Sequence, residues 1–243
     1  MTNRSFDETR IAAANARKQA KEIRKKWENQ ERSDRRDTEF SLALRGLDDA
    51  IQNLSLFVSE SSAYRTDAER EIGDSHGVRG GVYRDWGKYG EAADAYDKGL
   101  PYERRYQELG GKPNSYCLVQ RLVARALKDP KAFRDGVPIQ GADPGVPPVD
   151  VKSELEASLK EIEKQKEVLR AKDPWAQADY ALVLLLLERE TAEAEWDKFD
   201  DMSPDSGAYQ STLDVARLLE TALELSDVAA DRWADLVDRL TLR

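Results

Sequence analysis

Apolar residues recur every three or four positions through most of the chain and almost nowhere every second position. Phe40, Leu44, Leu47, Ile51, Leu54 and Val58 alternate four and three apart. That spacing lines one stripe of a helix and is the seam used by antiparallel helix pairs. Ile11, Ala16, Ala20, Ile23 and Trp27 make a narrower stripe just before it. Ser5 followed by Glu8 has the form of a capping box, so a first helix is expected from there to about residue 32. Asp37 or Thr38 is the expected cap of the second.

The same period predicts helices over 66–86, 89–109 and 115–128. Four prolines and three glycines between Arg134 and Asp150 then break the pattern and predict a loop. Beyond it, Leu155, Leu159, Ile162 and Leu169 share a face. Asp173-Pro174 opens a helix carrying the run Ala181 to Leu187. Shorter helices are expected over 191–201, 208–225 and 227–240, punctuated by "SPDSG" and Ser226. The fold class is therefore all-α, built of antiparallel helical hairpins. Four segments follow: a basic N-terminal helix (1–36), a helical part (37–133), the loop (134–150) and a second helical part (151–243).

Composition narrows the picture. The 243 residues are 40% hydrophobic and 35% charged, with a net charge of −9. Seven bases and one acid lie between Arg10 and Lys26, whereas residues 175–243 carry 6 bases and 16 acids. The acidic bulk argues against general binding to a DNA backbone, which needs a basic face. The single Cys117 excludes an internal disulfide and permits a reducing compartment. The opening residues lack an apolar signal-peptide core, and the longest apolar run, seven residues, is too short to cross a bilayer. A cytoplasmic location is expected.

The stretch "GGVYRDWGKYGEAADAYDKGL", Gly80 to Leu100, holds five glycines where a helix pattern runs. Glycine costs a helix interior about 1 kcal/mol relative to alanine, so these residues need a turn or a close contact to explain them. Small Gly80 and Ala92 let two helices approach, Tyr83 and Tyr96 fill the space beside them, and Gly87 permits a left-handed turn. This pattern resembles the tetratricopeptide repeat, a helix–turn–helix unit of about 34 residues. Gly80 and Tyr83 match its first helix, Gly87 its turn, and Tyr89, Ala92 and Tyr96 its second. Gly99 replaces the last alanine, His76 and Arg79 stand where the family has tryptophan and leucine, and Arg104 where it often has proline. The match covers residues 73–106. A weaker one, near 175–205, rests on Ala192, Trp196, Phe199 and Pro204.

Several residues invite chemistry. Asp74, Ser75 and His76 adjoin in sequence, but neighbours on a helix do not face one another, and a catalytic triad needs convergence in space. Cys117 lies at a helix start, where a thiol can acidify; the plainer reading is a small buried cysteine. One histidine and one cysteine argue against a zinc site. The acids of "KFDDMSPD" lack calcium-loop spacing, and "GVRGG" lacks the lysine of a phosphate loop. No catalytic residue, cofactor or metal is expected.

Two surfaces remain. Lys21, Arg24, Lys25 and Lys26, beside Arg17 and Lys18, make the N-terminal helix a candidate contact for nucleic acid or an anionic surface; a merely solvated face, or docking on the acidic second half, are the other readings. The resemblance implies a binding scaffold whose first helix lines a concave face. Its partner-contacting positions fall on Asp74, Gly77, Gly81, Arg84 and Asp85. Gly77 and Gly81 replace the lysine and asparagine that some family members use to grip a terminal carboxylate. Arg121 and Arg125, one turn apart, extend that face. The resemblance thus implies a non-catalytic protein–protein adaptor, like the short bacterial repeat proteins that scaffold signalling or defence assemblies. The alternatives are a regulator contacting nucleic acid and, third, an enzyme.

Overall fold

The computed structural model describes residues 5–28, 30, 33–202, 206–223 and 227–241. Among them are eleven α-helices, one short 3-10 turn and no strand; the sole extended pairing is an isolated bridge between Ile139 and Val149. No helix among these residues is long and apolar enough to cross a membrane. The chain forms two compact units. The first comprises residues 1–121 and 141–143, the second 122–140 and 144–243. The chain thus passes from one unit to the other within α5 (Tyr116–Lys128), and the proline-rich loop lends residues 141–143 to the first unit.

In the first unit, α1 (Phe6–Trp27) begins at the expected capping box: Ser5 accepts from the Glu8 amide, and Glu8 reaches back to the Ser5 amide. Trp27 ends it five residues early. Helix α2 (Asp34–Leu54) starts earlier than expected because Ser33, not Asp37 or Thr38, caps it by accepting from the Arg36 amide. A 3-10 turn over Ser55–Phe57 leads to α3 (Arg65–Asp85), followed by α4 (Tyr89–Glu108) and the start of α5 (Tyr116–Lys128).

Helices α1, α2 and α3 share two apolar clusters. Ala20, Trp27, Phe40, Leu47 and Val82 form one. Phe6, Ala13, Leu54 and Ile72 form the other. The beginning of α1 therefore meets the end of α2, and the beginning of α2 meets the end of α3, an up–down–up arrangement. Phe6, Thr9, Ala13, Ala20 and Trp27 are buried on α1. Ile11, expected on that face, is 57% exposed, because it lies off the line that runs 6, 9, 13, 20, 27.

In the second unit, α6 (Pro130–Asp135) ends at Gly136 in the left-handed region. The loop that follows is pinned by two backbone bonds between Ile139 and Val149, at 2.8 and 2.9 Å. Helix α7 (Val151–Val168) buries Leu155 and Ile162 but leaves Leu169, its C-cap, exposed. Helix α8 (Pro174–Leu186), capped by Asp173, buries ten residues and is the core of this unit. Helices α9 (Ala192–Asp201), α10 (Ser206–Ala222) and α11 (Asp227–Thr241) complete it. Ala192, Trp196 and Phe199 of the weaker repeat match are buried; Pro204 lies outside the described residues.

Candidate functional site

Helix α3 is buried along most of its surface, and its glycines mark where neighbours come closest. A Cβ at Gly80 would stand 2.5 Å from the Tyr96 ring of α4. One at Gly77 would meet Tyr116 of α5 at 3.2 Å, and one at Gly81 would meet the Arg24 guanidinium of α1 at 2.6 Å. Position 73 faces Glu103 and position 80 faces Tyr96, so contacts recede from the turn at equal pace on both helices. That is an antiparallel hairpin. Its turn is a Schellman motif: the Lys88 amide donates to Tyr83 O and the Gly87 amide to Arg84 O, both at 2.9 Å, with Gly87 at φ 78°.

Charged side chains bind this hairpin to α1. Arg17 donates to the Glu71 carboxylate, to Glu71 O and to Ser75 Oγ. Arg24 pairs with Asp85 at 2.5 Å. Arg84, 2% exposed, donates to Asp85 at 3.2 Å and to Gln120 of α5 at 2.9 Å. Burial pushes the Asp85 carboxyl up, but the Arg24 and Arg84 charges outweigh it and hold it below the ordinary carboxylate range. On the far side of α3, Glu69 accepts from Arg105 at 2.9 Å. Glu103, buried on α4, accepts from Asn114 and from the Cys117 amide, and so caps the start of α5 from another helix.

The expected partner-binding residues separate under this geometry. Asp74 is exposed on α3 and Asp85 half-buried in its ion pairs. Arg84, Arg121 and Arg125 are buried, so the expectation that they line an accessible face is corrected. Arg84 is turned inward because α3 packs against α1, α4 and α5 together. Arg121 pairs with Asp97 at 3.6 Å. Gly77 and Gly81 are buried under Tyr116 and Arg24 and are closed to a ligand.

The four basic residues of α1 also divide. Arg24 is engaged by Asp85, and Lys26 donates to Glu39 at 2.6 Å beside the Trp27 indole, which donates to the same carboxylate. Lys21 and Lys25 are exposed. With Ala14, Arg17, Lys18 and Glu22, all on α1, they line a shallow, open groove between the side chains of this one helix. Arg17 forms its wall, fixed by Glu71. Lys18 was visible in the sequence only as one more cation; the signal that singles it out is the 14, 18, 21, 25 spacing. Glu71 and Glu103 carried no signal at all, since their role depends on helices distant in sequence.

His76 is buried and stacked on Tyr102, with ring centroids 5.8 Å apart and Nδ1 without a hydrogen-bond partner. Burial, with Arg79 and Lys98 nearby, lowers its pKa to about 4, so the ring is neutral. Cys117 is fully buried; burial and the Glu103 charge push its thiol far above the ordinary range, away from the thiolate that a nucleophile needs. Gly99 lies between the two: a Cβ there would meet Cys117 Sγ at 2.7 Å and His76 Cβ at 3.0 Å. These side chains pack the α3–α4–α5 junction. Compared with protein-family models, curated proteins and solved structures, the chain shows no match.

Proposed function

We propose that the chain is a non-catalytic interaction scaffold, a tetratricopeptide-like adaptor working in the cytoplasm within a bacterial multi-protein signalling or defence assembly. The observation that carries this reading is the α3–α4 hairpin, with Gly80 against Tyr96 and a glycine Schellman turn at Gly87. Such a hairpin, clamped to α1 by Arg17 and Arg24, is a rigid support that leaves the outward face of α1 free for a partner. The buried thiol and neutral histidine support a packing role for Cys117 and His76. Affinity capture from the native host, with cross-linking and mass spectrometry, is the test. Specific partners joined through α1 are the expected result; recovery of the chain alone would defeat the adaptor reading.

A second reading, a regulator contacting nucleic acid or an anionic surface, is favoured by the exposure of Lys21 and Lys25. Reversing the charge of Lys21, Arg24, Lys25 and Lys26 would abolish such binding. Arg24 and Lys26 serve the fold, so Lys21→Glu/Lys25→Glu is the cleaner variant.

A further inference from the structure

Helix α1 carries two stripes. One, from Phe6 to Trp27, is buried. The other runs Ile11, Ala14, Lys18, Lys21, Lys25, with spacings of three, four, three and four, and all five residues are exposed. This second stripe has the period of a helix-pairing seam but faces solvent, apolar at its start and basic at its end. It lies outside the hairpin that resembles a repeat.

We propose that this stripe is a docking groove for an acidic amphipathic helix of a partner protein, with an apolar side chain of the partner on Ile11 and Ala14 and carboxylates on Lys18, Lys21 and Lys25. The proposal rests on the adaptor reading and names its contact surface. Charge complementarity selects the occupant. Lys18 to Lys25 covers about 10 Å of helix axis, the span of two helical turns, which suits two or three carboxylates spaced alike on a partner helix. Lys21 and Lys25 make no salt bridge among the described residues, although the Asp74 carboxylate of α3 lies near enough to Lys21 for their charges to interact, and Lys18 meets Glu22 at 4.0 Å on the surface. Arg17 holds the wall from below through Glu71 and Ser75. The acid excess of the chain lies in residues 175–243, whereas residues 1–121, which include the stripe, carry 22 bases and 21 acids and so do not by their net charge oppose an acidic helix. Phosphate polymers fit less well. A duplex carries one negative charge per about 1.7 Å of axis, more than three lysines spread over about 10 Å can match.

The test uses the full chain and a fluorescein-labelled 14-residue helical peptide with leucine at one end and glutamates three and four apart at the other. Fluorescence anisotropy should show saturable binding that weakens as salt rises and is lost when glutamine replaces the glutamates. Lys18→Glu/Lys21→Glu/Lys25→Glu should weaken binding at least tenfold, and Ile11→Ser several-fold. Lys164→Glu, an exposed reversal on the second unit, should change nothing. All five positions are exposed, so circular dichroism should report unchanged folding. No binding of the peptide at low salt, or equal binding by the triple variant, overturns the proposal. So does tighter binding of a 20-base-pair duplex or of phosphatidylserine vesicles lost in the same variant, which would assign the groove to phosphate. Affinity capture separates this from the adaptor reading. Equal recovery of partners by wild type and triple variant overturns the groove and leaves the adaptor standing; peptide binding without any recovered partner supports the groove and defeats the adaptor.

Discussion

At Gly80 even one methyl group has no room. The Tyr96 ring stands 2.5 to 2.7 Å from where a Cβ would be, and Tyr96 is itself fully buried, so it cannot swing away without moving α4. Gly80→Ala should therefore lose about 1–3 kcal/mol by overpacking, despite the gain of about 1 kcal/mol in helix propensity. Urea unfolding measures this, and a stabilised variant would refute the contact. This glycine was legible in the sequence because it broke a helical pattern beside a tyrosine at fixed spacing. His76 was not, because only the fold sets its solvation. Its pKa is about 4 when folded against an ordinary 6.5. As pH falls, the unfolded chain takes up the proton first, so the contribution to stability is complete above about pH 6.5 and declines toward pH 4. Between pH 7 and 5 the loss should be about 2 kcal/mol. His76→Phe keeps a ring over Tyr102 and has nothing to titrate, so its urea midpoint should lose that part of the pH dependence.

At the scale of the element, α3 explains both what was readable and what was not. Its helical character and the turn at Gly87 follow from local pattern. Its burial on several sides does not, since a helix rich in Arg, Glu and Gly reads as a solvated one. The resemblance to the repeat places Arg84 on a binding face, and hydrophobicity alone places Ile11 on the buried face of α1 because it does not show which of two stripes meets α2. The ion pairs make the difference: Arg24, Asp85 and Arg84 let charged positions enter the interior. Asp85→Ala would leave the Arg84 guanidinium buried with Gln120 as its remaining side-chain acceptor. The expected loss is about 3 kcal/mol, the lower end for breaking a buried pair because Asp85 is partly exposed. Chemical denaturation of the variant measures it; a loss under about 0.5 kcal/mol would show that the pair contributes as little as a surface one. The pH window differs from that of His76. The folded carboxyl is depressed, so its contribution is present above about pH 4 and disappears only as pH falls further through the folded value. Loss of stability between pH 7 and 5 therefore reports the histidine, and the part of the loss below pH 4 that disappears in Asp85→Ala reports this carboxylate, since Glu39, Asp150 and Glu195 are depressed as well.

For the whole molecule, charge decides between a protein partner and a nucleic acid. The cluster between Arg10 and Lys26 reads in the sequence as seven cations; the fold leaves fewer. Arg17, Arg24 and Lys26 are held by Glu71, Asp85 and Glu39, and Arg10 stands 3.6 Å from Asp7. Lys18, Lys21 and Lys25 remain for an external anion. Three phosphates neutralised on a duplex give a log–log salt slope of about −2.7, hence a fall of about 40-fold in affinity from 50 to 200 mM salt. The net charge of −9 gives no long-range attraction for a polyanion. A labelled 20-base-pair duplex should accordingly show no binding at micromolar chain and physiological salt, and at most weak binding at 50 mM. Fluorescence anisotropy across that salt range checks it. A slope steeper than about −5 would require more phosphate contacts than α1 can offer with its fold intact, and would mean that Arg24 or Lys26 leaves its internal partner to bind DNA.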